Sequence, residues 1–204
     1  MDDIVKQAMA KWPSVPSAFG WLSLDRRGKW LIKGDPVTSP LIADFIGRNY
    51  THDEAGRWYF QNGPQRVFVT LEYAPFVYRL VWNPESQAPM RMETHTGQPV
   101  VRLEGAWIDD AGVLLLKTEH GPGMVDDRDL DLLMPCFTDS HGRQLTENDA
   151  EAALEKLQSG RRARAFFSCG SGTVPFAAIA ARDVPLHFGF VRQPEPPAGL
   201  NACP

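Results

Sequence analysis

The chain has 204 residues, 43% hydrophobic and 10% aromatic, enough to bury a substantial core in one domain or in two small ones. A formal net charge of -4 implies no broad basic face, so binding to long nucleic acid, whose affinity rests on neutralised phosphates, is not expected. No stretch approaches the ~18 uninterrupted apolar residues of a membrane helix, and the start Met1-Asp2-Asp3-Ile4-Val5-Lys6 is acidic, so neither export nor membrane insertion is expected.

In chain order, Ile4, Val5, Ala8, Met9 and Trp12 fall at helical spacing until Pro13 and Pro16 end the pattern, which predicts a short amphipathic helix. Gly20 to Leu24 and Lys29 to Lys33 read as a hairpin around Asp25-Arg26-Arg27-Gly28. Leu41, Ile42, Phe45 and Ile46 then return at helical spacing, with Thr38 or Ser39 as cap and Pro40 in the first turn. Arg57 to Gln61 and Gln65 to Glu72 flank the turn pair Asn62-Gly63 and predict an antiparallel meander, extended by a strand over Ala74 to Trp82. Residues 83–98 lose apolar periodicity and read as a linker or long loop.

The second half repeats the strand vocabulary: Val100 to Glu104, Ala106 to Ile108 and Val113 to Lys117. A capping-box-like start at Thr146 with Asp149 opens a helix whose apolar face is Ala150, Ala153, Leu154 and Leu157. Strands are expected at Arg164 to Cys169, Thr173 to Ala181 and His187 to Val191. The four segments Asp25 to Gly28, Asp53 to Gly56, Asp109 to Gly112 and Asp139 to Gly142 share the pattern Asp-x-x-Gly. Asp bonds backbone amides at the start of a type I turn and Gly takes the left-handed position that closes it, so each predicts a hairpin corner. The expected fold is α+β, two similar units of antiparallel hairpins or meander, each with a helix. The boundaries are a helix over 1–13, units over 14–82 and 99–192, the linker over 83–98, and an irregular tail over 193–204.

Cys136, Cys169 and Cys203 form no CxxC and cannot all pair within one chain, which fits a reducing, cytoplasmic setting. A catalytic Cys169 is weighed against ordinary strand packing, and packing is preferred. Asp127, Asp129 and Asp131 imitate calcium ligands, but Leu132 and Thr138 stand where Gly and a bidentate Glu belong, so an acidic turn is the reading. Adjacent His52, Asp53 and Glu54 diverge if extended, which favours turn capping over a metal. In Gly170-Ser171-Gly172 the glycines flank the serine directly, unlike a hydrolase elbow. Arg161, Arg162 and Arg164 follow a helix end and read as a surface cluster. No catalytic set, metal or cofactor is expected.

The candidate ligand-binding set is the second hairpin, Trp58, Tyr59, Phe60, Gln61, Gln65 and Arg66, with Glu72 and Phe76. Trp58 and Phe60 share one strand face and Tyr59 and Gln61 the other, so one face can be core and the other a recognition surface, with rings stacking on a planar ligand and Arg and Gln fixing it. Simple filling of a sheet core is the competing and preferred account of these rings.

The series Asp25 to Trp30, Gly34 to Val37, Phe45, Asp53 to Tyr59, Arg66 to Val69 and Glu72 to Phe76 resembles the proteobacterial domain-of-unknown-function family twelve-eighty-five, or a sister uncharacterised family, well over residues 20–82 and weakly beyond. The resemblance implies a duplicated α+β core, a C-terminal unit like a pleckstrin-homology barrel, and a small-ligand site between the units with a nucleotide-like signal. Leu71-Glu72-Tyr73-Ala74-Pro75-Phe76 departs from the family's Val-Glu-Asp-Ala-Pro-Phe by losing one carboxylate. The expected function is a ligand-binding or signalling module with a small-molecule partner. Two alternatives stand beside it: a hydrolase of a nucleotide or similar ester using His52 or His120 with Asp53 or Glu119, and a scaffold binding another protein by a sheet edge or the Pro-rich tail.

Overall fold

The computed structural model describes residues 1–12, 15–81, 91–159, 163–169 and 172–196. Within them the chain forms two compact units. The first comprises Met1–Pro75, His95–Gly97 and the described residues from Phe188 onward, and the second Phe76–Thr94 and Gln98–His187.

The first unit contains α1 (Asp3–Lys11), β1 (Ala18–Leu24), β2 (Trp30–Ile32), β3 (Asp35–Pro36), α2 (Pro40–Arg48), β4 (Tyr50–His52), β5 (Trp58–Asn62) and β6 (Gln65–Leu71). Its sheet has the order β3-β2-β1-β6-β5-β4. The chain therefore makes two three-stranded antiparallel arms, joined through α2, and lays them side by side so that β1 runs parallel to β6. That pairing makes the sheet mixed, where the local pattern predicted antiparallel strands throughout. A parallel pair needs a long crossover, and α2 lies within it.

Helix α2 forms because Ile42, Phe45 and Ile46 make one apolar stripe and Pro40, at the first turn, gives up an amide that has no partner there. Ser39 occupies the cap position without a side-chain bond. At the other end, buried Asn49 donates from Nδ2 to the Phe45 carbonyl (2.9 Å) and accepts the Asp2 amide on Oδ1 (2.8 Å), tying α1 to the end of α2. On the sheet face opposite the one that Phe60 presents to α2, Phe19, Tyr59 and Phe68 form a buried cluster, with Phe19 and Phe68 stacked at 4.5 Å between centroids.

The second unit contains β7 (Phe76–Val81), β8 (Arg91–Thr94), β9 (Leu103–Ile108), β10 (Leu114–Thr118), β11 (Gly121–Val125), α3 (Leu130–Leu133), β12 (Phe137–Thr138), α4 (Glu147–Gln158), β13 (Phe166–Ser168), β14 (Thr173–Ala178) and all but the last residue of α5 (Val184–Phe188). The sheet order is β12-β13-β14-β9-β10-β11-β7-β8, with β14 parallel to β9 and β11 parallel to β7. The architecture is thus α+β with two mixed sheets of six and eight strands, which differ in order.

All four Asp-x-x-Gly segments form the same corner. In each, the glycine amide donates to the aspartate carbonyl (3.0 to 3.1 Å) and the aspartate amide to the carbonyl one residue beyond the glycine (2.8 to 3.1 Å). The carboxylate accepts two amides, at i+2 and i+4: Arg27 and Lys29 for Asp25, Ala55 and Arg57 for Asp53, Ala111 and Val113 for Asp109, His141 and Arg143 for Asp139. The glycines take φ of 72°, 74°, 81° and 74°, a region that a Cβ disfavours.

Other local readings shift. Phe76 to Val81 pairs with β11, so the strand expected to close the first unit belongs to the second. Arg91–Thr94, inside the expected linker, pairs with that strand, while residues 83–90 lie outside the described residues, as do Arg161, Arg162, Gly170, Ser171, Cys203 and most of the expected tail. His187 to Val191, expected as a strand, instead ends the short helix α5, where Pro185 suits a first turn, and only Val191 bridges, to Arg57. Strand β11 forms over Gly121–Val125 despite the turn-forming residues Gly121, Pro122 and Gly123. Gly123 is needed there, since a Cβ would stand 2.5 Å from the Tyr78 ring and 2.7 Å from the Phe76 carbonyl.

Candidate functional site

The α2 stripe faces the first sheet without filling the space above it. A groove of about 480 Å³ remains. Its floor is Ala18 and Leu22 of β1, Phe60 of β5 and Val67 of β6, and its wall is Ile42, Phe45 and Ile46 of α2. The ring of Phe45 meets Phe60 edge-on at 5.4 Å. Trp21, Ile32, Asn62 and Gln65 complete the lining. Ile32 and Ile42 are 43% and 49% exposed, so their apolar surface is already open to solvent at the groove.

Two polar side chains, Asn62 and Gln65, line this apolar hollow, and Lys33, which does not line it, packs on the lining residue Trp21. Asn62 and Gln65 face each other across the β5-β6 turn, and Gln65 donates from Nε2 to the Pro16 carbonyl (3.1 Å), which fixes its amide. Trp21 carries the Lys33 ammonium 3.7 Å from its ring centroid. Lys33 is the sole non-glycine residue with positive φ (50°) among the described residues, at the tight turn between β2 and β3, and its amide donates to the Trp21 carbonyl (2.9 Å). A side chain in that conformation costs free energy that a glycine would not.

Of the residues singled out in the sequence, Phe60 and Gln65 line the groove. Trp58 is buried in a run of rings, 4.8 Å from Tyr50 and 4.8 Å from His52, with Trp30 5.0 Å from Tyr50 and 5.1 Å from His95. Tyr50 donates its hydroxyl to the Pro75 carbonyl (3.1 Å), and burial pushes that hydroxyl well above the ordinary phenol range. Tyr59 is buried against Phe68, with the Arg66 guanidinium 4.9 Å over its ring. Gln61 is fully buried. It donates from Nε2 to the Gly63 carbonyl (2.9 Å), and its Oε1 has no hydrogen-bond partner among the described residues.

Glu72 accepts the Arg26 amide (3.1 Å) and its carbonyl accepts the Arg192 guanidinium, while Arg26 and Arg192 lie over Tyr73 at 4.7 and 5.7 Å. Phe76 belongs to the second unit, beside Tyr78 and His120. The set is therefore divided: Phe60 and Gln65 at the groove, Trp58, Tyr59 and Gln61 in the core, Arg66 and Glu72 at the surface, and Phe76 on a strand of the other unit. The helix α2 and Trp21 were missing from it, although the spacing of Ile42, Phe45 and Ile46 had marked an apolar face.

The histidine and acid pairs are tied into turns. His52 Nδ1 lies 3.0 Å from the Asp53 carbonyl. Burial raises the Asp53 carboxyl, but its bonds from the Arg57 side chain (2.8 Å) and from the Arg57 and Ala55 amides outweigh that and hold it below its ordinary value. Glu119 accepts the Val101 and Arg102 amides at 2.7 and 3.1 Å, and His120 Nε2 lies 2.9 Å from the Pro99 carbonyl. Asp126 caps the turn at Asp127–Asp129 by accepting the Arg128 amide, and Asp129 accepts the Leu80 amide, so these acids serve the backbone. No group of three or more His, Cys, Asp or Glu suited to a metal occurs among the described residues. No helix there is long and apolar enough to cross a membrane.

A second hollow, about 160 Å³, lies in the second unit between Ala150, Ala153 and Leu154 of α4 and Ile108, Leu114 and Phe176 of the sheet. Its lining side chains are all apolar, as in a loosely filled core.

The fold and groove define an α+β protein with two mixed sheets and one open apolar groove. Residues 1–195 match the model of the family described as protein of unknown function (DUF2946), and the chain belongs to that family. It is similar in fold to a DUF1285 family protein from Silicibacter pomeroyi DSS-3, with 15% identity, 88% of this chain and 97% of that chain covered, and a TM-score of 0.50. A DUF1285 family protein from Shewanella baltica OS155 aligns at 14% identity, over 55% of this chain and 88% of that one, with a TM-score of 0.42. No curated protein matches the chain.

Proposed function

We propose that this chain is a small-molecule binding module, and that the groove between α2 and the first sheet is where the ligand sits. The observation that carries the reading is the groove itself: an apolar hollow of about 480 Å³, within the size range of small-molecule pockets, with polar groups at a few points. The ligand it suits has a flat or aliphatic body for the floor of Phe60, Leu22 and Val67, an amide-bonding edge for Asn62 and Gln65, and a negative group for Lys33. A nucleotide-like molecule satisfies those demands, with its base on apolar surface and its phosphate beside the ammonium. The site proposed lies wholly on residues of the first unit, in place of the cleft between units that the resemblance implies. The signalling part of the reading, the likeness of the two units and the pleckstrin-homology-like character of the second rest on that resemblance alone.

The hydrolase alternative loses support because Asp53 and Glu119 are committed to backbone amides and to Arg57. The scaffold alternative draws on exposed Leu41 (81%) beside the groove residue Ile42.

The test is a thermal-shift screen of nucleotides, aromatic carboxylates and acyl anions, in which a ligand at a hundredfold excess over Kd stabilises by about 2.7 kcal/mol. Ile42→Asp, which sets a charge on the half-buried groove wall, should abolish the shift while lowering the unliganded melting temperature only modestly, so that the folded variant can still be screened. Silence across all three classes, or a shift indifferent to Ile42→Asp, overturns the proposal.

A further inference from the structure

The second hollow, about 160 Å³ in the second unit, has the chemistry of a loosely filled core but not its exposure. Leu114, Ala165 and Phe176, at its floor, are 3%, 3% and 4% exposed. Ile108, Leu130, Phe137, Leu145 and Leu154 also line it and are only half-buried. A sealed packing void would leave its whole lining dry, so this space reaches solvent. Its cause is legible in α4, which presents Ala150, Ala153 and Leu154 to it, so that two of three positions carry a single methyl. An interior of ordinary density would hold larger side chains there.

We propose that this hollow is a binding site for a small neutral aromatic molecule of one ring. The size fits, since an apolar cavity of about 150 Å³ stays dry and takes up benzene. No lining side chain carries a nitrogen or an oxygen. A charge or an amide buried there would give up water and gain no partner, so the ligand is uncharged and close to a hydrocarbon. The preference for a ring follows from Phe137 and Phe176, whose centroids lie 5.1 Å apart with their planes at 75°. A guest ring can set its edge or its face against either of them. Met134 adds a thioether to the same lining, a group that makes favourable contacts with ring edges. The site is built on residues of the second unit alone and does not depend on the reading of the groove in the first.

The experiment adds toluene, up to its solubility in water, to the full chain labelled with carbon-13 at the isoleucine and leucine methyls. Saturable shifts are expected at Ile108, Leu114, Leu130, Leu145 and Leu154, while Leu24 and Leu71, in the core of the first unit, stay in place. Benzoate, the same ring with a charge, should bind at least about a hundredfold more weakly. Methylcyclohexane, similar in size and more hydrophobic but not aromatic, should bind a few-fold more weakly. Ala153→Leu fills the space and should weaken toluene binding at least about tenfold while keeping the fold. The spectra of the unaltered chain decide the matter even where that variant does not fold. Absence of saturable shifts at the five lining residues overturns the proposal, as does benzoate or methylcyclohexane binding as tightly as toluene, or toluene binding undiminished in folded Ala153→Leu.

Discussion

Asp109→Ala removes the carboxylate from the most buried of the four matched corners. Asp109 is 1% exposed, and its Oδ1 accepts the amides of Ala111 at 2.9 Å and Val113 at 2.7 Å. Hydrogen bonds to a charged group contribute about 1.5–3 kcal/mol each, but Ala111 is at the surface, where water can replace the lost acceptor, so a total near 3 kcal/mol is expected. The same change at Asp25 removes bonds to Arg27 and Lys29, both exposed, and should cost only about 1 kcal/mol. Asp109→Asn keeps an oxygen in the same place and should fall between them. Urea unfolding followed by tryptophan fluorescence, with Trp107 in the adjoining strand β9, reads the differences. Equal losses at Asp25 and Asp109, or an Asp109→Ala change within about 0.5 kcal/mol of neutral, would refute the argument that burial sets the value of an otherwise identical turn.

Gly56→Ala should cost upwards of about 3 kcal/mol, because φ is +74° and the new Cβ would stand 2.1 Å from the Gly189 carbonyl oxygen; soluble yield and melting temperature check it, and a near-neutral result contradicts it. Lys33→Gly relieves a positive φ worth about 1 kcal/mol and forfeits a cation-π contact worth about 0.5 kcal/mol, so the fold should be slightly more stable. The same variant should bind an anionic groove ligand more weakly, and a thermal-shift pair with and without ligand separates the two effects. The bonds from Arg128 hold the Asp126 carboxyl far below its ordinary value despite burial, so its folded form releases its proton more readily than the unfolded chain. Its contribution is therefore complete above the unfolded carboxylate value of about 3.9 and is lost as pH falls toward the lower folded value. Asp126→Asn should flatten the decline of stability below about pH 4, and an unchanged acid slope would count against it.

The parts legible in the sequence were those whose hydrogen bonds close within five residues. An aspartate that accepts amides at i+2 and i+4, and a glycine that takes φ near +75°, need nothing from elsewhere in the chain, so all four corners could be read before any coordinates. The same holds for the helices α1, α2 and α4: their apolar stripes, Pro40 and the Thr146 cap are local facts, and the Thr146 hydroxyl does accept the Asp149 amide at 3.2 Å. Phe60 and Gln65 were within reach as groove residues because both flank the Asn62-Gly63 turn.

Which strands run side by side was decided only by tertiary structure. The parallel pairs β1-β6, β7-β11 and β9-β14 join segments far apart in the chain, and nothing in a strand's own residues names its neighbour. The allegiance of Phe76 to the second unit and the strand made from Gly121-Pro122-Gly123 both depend on such pairings. The groove does too, since the α2 stripe and the β1 and β6 floor become one surface only when the two arms lie together. The sequence by itself settled the reversals and the helical faces, through short-range hydrogen bonding and periodicity. Long-range burial, which rewards whichever faces can be covered together, settled the rest.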